Sequence, residues 1–142
     1  MIRRVGVEAQ VIVKTPNKPE YIDNVKKYAS DLAYMAVVKQ QDRISDYILD
    51  CGLNYIGVEA LFSSDEDEIV SDAYIQKMHD LGLILFGNAI VYDESKIISA
   101  GHTDDVALGG DPDRGWGWFA DKKFDIIQTD WCLMLKNYLK NR

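Results

Sequence analysis

Histidine is scarce in this chain: His79 and His102 are its complement. A hydrolase built on a histidine acid and a histidine base has almost nothing to choose from here. Cysteine is as rare. Cys51 and Cys132 stand far apart and without companions, which argues against a disulfide framework or a zinc site and for two buried free thiols. Basic residues are outnumbered, 16 Lys and Arg against 23 Asp and Glu, for a formal net charge of −7. That balance excludes nucleic acid and anionic membrane as main partners, since both need basic surfaces. No apolar run approaches the roughly 20 residues of a membrane-spanning helix. Met1-Ile-Arg-Arg-Val-Gly6 lacks the apolar core of a secretory signal, so a cytoplasmic location is expected.

What is present is a repeated unit. Short apolar runs with polar tips alternate with helical patterns. Val11, Ile12 and Val13 centre a strand over residues 9–14, stopped by Thr15-Pro16. Pro19 suits the first turn of a helix whose apolar positions are Tyr21, Ile22, Val25, Tyr28 and Ala29. Further strands are expected over residues 34–39, 55–61, 83–90 and 124–129. Asp42 is a candidate cap for the helix of Ile44, Tyr47, Ile48 and Cys51. The acidic run at residues 65–68 complements the start of a helix that ends at Leu81-Gly82. A polar excursion covers about residues 93–115, and Trp131 through Leu139 form the last helix, with Asp130 as its simplest cap. Five strands alternating with helices over short connections imply parallel strands and right-handed crossovers. A single domain of 142 residues is long enough to bury a core. A closed eight-unit barrel needs about 250 residues, so five units form either an open sheet or part of a barrel.

The end of the chain carries the most specific pattern. Ile126-Ile-Gln-Thr-Asp130 follows Trp116-Gly-Trp-Phe-Ala-Asp121, with Gly101-His-Thr-Asp-Asp105 upstream. This resembles the C-terminal part of the glycerophosphodiester phosphodiesterase family. There a Thr-Asp closes the last barrel strand, and the strand before it bears an aromatic residue and an Asn. Phe86-Gly-Asn88 matches that earlier strand, with Phe86 where the family often has Trp. The resemblance runs the length of the chain, with residues 10–14 on the fourth barrel strand and 124–129 on the eighth. It implies an α/β fold over residues 1–142, a partial TIM-type (β/α) barrel of five parallel strand–helix units.

The same resemblance marks what is absent. The family's His-Arg pair, its cation-binding Glu-x-Asp, a second His and a Glu-x-Lys lie on the first three strands. No His-Arg occurs here, and His79-Asp80 falls at a helix end instead of a strand tip. Val58-Glu-Ala-Leu61 mimics the cation-binding strand, but Leu61 stands where the second carboxylate belongs. The complete enzyme would cleave a small glycerophosphodiester to an alcohol and glycerol phosphate with Mg²⁺ or Ca²⁺. This chain alone is expected to hold no cation and to hydrolyse little or nothing.

The candidate substrate-binding residues are Lys14, Glu59, Asn88, Asp130 and Trp131. Lys14 could present an ammonium to a phosphate, or lie solvated. Glu59, inside an apolar run, is either a cation ligand or the partner of Lys14. Asn88 could bond a substrate oxygen or serve a turn. His102, in the polar excursion, could carry a proton into the pocket, or be incidental. Trp116, Trp118 and Trp131 read as packing more than as stacking surfaces. Two other classes remain open. One is a non-catalytic interaction module that pairs through its open sheet edges, as a homodimer or with a separate N-terminal half. The other is an unrelated open-sheet protein that binds a small phosphorylated ligand at its strand tips.

Overall fold

A computed structural model describes residues 2–93 and 95–142. A short helix α1 (Ile2–Val5) and a single 3₁₀ turn (Glu8–Gln10) lead into β1 (Ile12–Pro16). There follow α2 (Pro19–Tyr28), β2 (Ala33–Lys39), α3 (Ser45–Asp50), β3 (Tyr55–Leu61), α4 (Asp72–Asp80) and β4 (Ile84–Asn88). The last segment contains α5 (Asp104–Leu108), a π turn (Asp113–Gly117), α6 (Trp118–Asp121), β5 (Ile126–Gln128) and α7 (Cys132–Asn141). The five strands make one sheet in the order β1-β2-β3-β4-β5, and each neighbouring pair is parallel.

That order has a consequence for the two faces. Each right-handed crossover moves one strand in the same direction, so each connecting helix lands on the same side of the sheet. Burial agrees. Tyr34, Ala36, Val38, Val58, Ala60 and Leu85 are shut in against Ile22, Val25, Ile48, Ile75 and Met78 of the helices. Ile12, Lys14, Val37, Leu61, Ile84, Phe86, Ile126 and Gln128 point the other way and are half-buried or exposed. Most of the core therefore lies on one side, while the other side carries no helical cover among the described residues and buries Met35, Glu59 and Asn88. Gly87 lies on the covered side and has no side chain because a Cβ there would reach 2.6 Å from the ring of Phe119.

Several boundaries differ from the sequence expectation. β1 begins later and runs through Thr15 and Pro16, because it is an edge strand and Pro16 needs no N–H on its open side. β4 and β5 are shorter than their apolar runs: Leu83 and Phe124 leave the ladder to pack in the core. The polar excursion is partly helical, since Thr103 caps α5 by accepting from the Val106 N–H at 3.3 Å. Both cysteines are free, but neither is fully buried: Cys51 is half-buried and Cys132 is exposed at the start of α7. The first turn of α7 has no side-chain cap. Thr129 Oγ1 accepts from the Trp131 N–H at 2.9 Å, and Asp130 donates its own N–H to Asp104 Oδ2 at 3.0 Å.

Asp42 fastens α3 and α4 together. Its Oδ1 accepts from the N–H groups of Ile44 and Ser45, both at 3.0 Å, and its Oδ2 accepts from the Tyr74 hydroxyl at 2.7 Å. Burial alone would raise its pKa. The hydrogen bonds from Ser45, Ile44 and Tyr74 outweigh burial and hold the carboxyl below its ordinary range. A depressed carboxyl stabilises the fold above its unfolded pKa, and that contribution disappears as pH falls through the folded value. The stability gap between wild type and Asp42→Asn should therefore close as pH drops from about 6 to about 3, as urea midpoints would record. A gap that stays constant over that range would contradict the assignment.

Candidate functional site

The helix-free face collects charge in one place. Lys14 points from β1 onto it and Glu59 from β3, two strands away. The Lys14 ammonium reaches Glu59 Oε2 at 2.8 Å and lies 4.5 Å from the centre of the Phe86 ring. The other oxygen, Glu59 Oε1, accepts from Asn88 Nδ2 at 2.8 Å. Lys14, Glu59 and Asn88 thus form one continuous polar chain across β1, β3 and β4. Glu59 is 8% exposed and Asn88 1%, whereas the Lys14 side chain keeps 38% of its surface. A buried carboxylate tolerates its position because two donors meet it. The face is apolar around them, with Met35, Ile84, Phe86 and Ile126 on the same side by register.

Asp130 and Trp131 lie elsewhere. They line an open cleft of 310 Å³ with Val91, Tyr92, Asp93, Asp104 and Asp105 at the far edge of the sheet. Trp131 is 48% exposed there, while Trp116 and Trp118 pack inward. Asp104 anchors that end. Its Oδ1 accepts from the Trp116 indole N–H and the Thr129 hydroxyl, both at 2.7 Å, while its Oδ2 takes the Asp130 N–H.

His102 is buried away from the helix-free face. Its Nδ1 faces the Arg114 carbonyl oxygen at 2.7 Å, its Nε2 faces Asp65 Oδ1 at 2.8 Å, and its ring stacks on Trp118 at 4.2 Å. Both contacts tie the ring to fixed oxygen atoms of the surrounding loops. His79 is placed likewise at a structural joint, with Nε2 3.1 Å from Asp125 Oδ2.

A divalent cation does not fit these residues as they stand. Both oxygens of Glu59 already face donors, and among the described residues no group of three or more His, Cys, Asp or Glu is gathered to hold a metal ion. Sequence reasoning named Lys14, Glu59 and Asn88 from strand-tip polarity. It missed Asp104, Phe86 as a cation platform, and Gln128. The available signal for Gln128 was its two-residue spacing from Ile126 on an open face, which needs the register to be read.

Residues 31–139 match the family DUF4996, described as a domain of unknown function. The chain belongs to the DUF4996 family. No curated protein matches it. The DUF4996 span begins just before β2 and ends within α7. It therefore contains Glu59, Asn88, His102, Gln128, Asp130 and Trp131, and leaves Lys14 outside. The polar chain of the helix-free face is thus assembled from two DUF4996 residues and one residue ahead of the matched span.

Proposed function

We propose that this chain forms one wall of a phosphodiester-binding (β/α) barrel of the glycerophosphodiester phosphodiesterase type. The observation that carries the reading is the Lys14–Glu59–Asn88 chain on a sheet face without helices. A singly wound parallel sheet with helices on one side is how a barrel wall is built, and substrate is met at the C-terminal mouth of such a barrel, where the strands end. Parallel sheets elsewhere have both faces covered. On this reading strands β1 to β5 stand as barrel strands four to eight. Lys14 offers its remaining N–H groups to an anionic oxygen, Asn88 borders the same ligand, and the opposite wall supplies the cation site and the acid and base. His102 joins the 99–118 segment to Asp65 through its two ring nitrogens.

The 142-residue chain by itself should therefore not cleave glycerophosphocholine with Mg²⁺ or Ca²⁺ present, as release of glycerol phosphate would measure. Turnover above the uncatalysed background would overturn the assignment.

A second reading rests on the two sheet edges. Among the described residues β1 and β5 each have one ladder neighbour, and after β5 the helix α7 exposes Leu133 (77%) and Met134 (47%). Open parallel edges flanked by apolar surface invite strand addition by another chain. On this reading the protein is an interaction module, and light scattering after size-exclusion chromatography should find a dimer. A stable monomer would count against it.

A further inference from the structure

The cleft at the far edge of the sheet is acidic and aromatic: Asp93, Asp104, Asp105 and Asp130 line it with Tyr92 and Trp131. Among the described residues no Lys or Arg lines it. Asp104 is committed to Trp116, Thr129 and the Asp130 N–H, and Asp93 has Lys96 at 3.4 Å. Asp105 and Asp130 are exposed, and among the described residues neither carboxylate meets a cation.

The opposite charge stands on the next element. α7 follows directly on Trp131, carries Lys136 and Lys140, and has no acidic residue over Cys132–Asn141. Leu135 is buried and Tyr138 half-buried against the core. At about 100° per residue, Leu133, Lys136, Asn137 and Lys140 fall on the opposite side of the helix, and all four are exposed. Among the described residues neither lysine has a carboxylate partner. One chain thus carries both halves of an electrostatic contact. α7 is rooted at the wall of its own cleft through Trp131 and held to the body by Leu135, so its outward stripe serves a second molecule.

We infer that two copies of this chain associate about a twofold axis, with Lys136 and Lys140 of each α7 set against Asp105 and Asp130 of the other copy. A twofold arrangement makes the same contact twice and closes on itself. Antiparallel α7 helices bring the lysine end of each toward the acidic root of the other. Trp131 and Tyr92 offer the arriving ammonium groups aromatic faces, and Leu133 adds apolar contact. A ten-residue helix is about 15 Å long, so the interface is small and the expected dissociation constant is about 10–100 μM. The inference goes beyond both readings of function, since it uses neither the helix-free face nor the open strand edges.

The test is a charge-reversal exchange followed by sedimentation equilibrium at chain concentrations up to about 0.5 mM. One variant carries Lys136→Glu and Lys140→Glu, the other Asp105→Lys and Asp130→Lys, and far-UV circular dichroism checks both folds. Each variant alone should dimerise at least about tenfold more weakly than wild type, and their equimolar mixture should recover to within about threefold. The mixed pair carries the same total charge as two wild-type copies, so recovery isolates the contact from general repulsion between acidic chains. If either double variant folds poorly, Lys140→Glu and Asp130→Lys repeat the exchange with losses of about threefold. A wild type that stays monomeric, or a mixture that does not recover, overturns the contact. Variants that each dimerise as well as wild type also overturn it and point to the strand edges instead.

Discussion

Replacing Asp104 with alanine should lower the unfolding free energy by about 4 kcal/mol, because one buried carboxylate satisfies three donors. Asp104 is 4% exposed and Trp116 is 3% exposed, so water does not readily take over. Charge-assisted hydrogen bonds contribute about 1.5–3 kcal/mol each, and the indole N–H would be left buried without an acceptor. The Thr129 hydroxyl and Asp130 N–H are nearer the surface and would lose less. Asp104→Asn separates the contributions. Its Oδ1 can still serve Trp116 and Thr129, but its amide nitrogen would face the Asp130 N–H, donor against donor, so about half the loss is expected. Urea denaturation measures both, and near-UV circular dichroism follows Trp116. If Asp104→Ala cost less than about 1 kcal/mol, the claim that this carboxylate ties the end of β5 to the 104–118 segment would fail.

The second large effect concerns the polar chain on the helix-free face, and it is asymmetric. Lys14 can withdraw into water when its partner is removed, whereas Glu59 cannot. Lys14→Met should therefore cost about 2–3 kcal/mol, below the range for a fully buried pair because part of Lys14 is exposed. Glu59→Gln keeps an oxygen for Asn88 Nδ2 and releases Lys14 to solvent, so about 1 kcal/mol is expected. The double variant should be more stable than Lys14→Met alone, since no uncompensated carboxylate remains. Additive losses in this cycle would mean that the two groups do not interact in solution.

How far the sequence could be read follows from which interactions are local. The strand–helix alternation was legible because each apolar run is bounded by its own turn residues, as at Thr15-Pro16 and Leu81-Gly82. The parallel order follows from connections too long for hairpins. The ends of β4 and β5 were not legible: Leu83 and Phe124 look like strand residues but pack in the core, Phe124 against the rings of Phe62 and Phe119. Lys14 and Glu59 could be paired on paper because an ion inside an apolar run demands a counter-ion. Asp104 and Gln128 could not be picked out. Asp104 reads as one carboxylate among several in a polar loop, and its donors come from residues 116, 129 and 130. Gln128 gains meaning through the register that sets it opposite Asn88. By local rules Asp130 reads as the cap of α7, and the tertiary pull of Asp104 on its N–H overrides them.

The account rests on the helix-free face being the face that meets ligand. Amide and side-chain NMR shifts of the full chain, recorded during titration with inorganic phosphate, test this directly. The expected result is a set of saturable changes at Lys14, Glu59, Phe86 and Asn88, with Tyr34, Val38 and Val58 on the covered face unmoved. Changes centred instead on the groove of Asp42, Ser45 and Tyr74 between α3 and α4, or no saturable change at all, would contradict it.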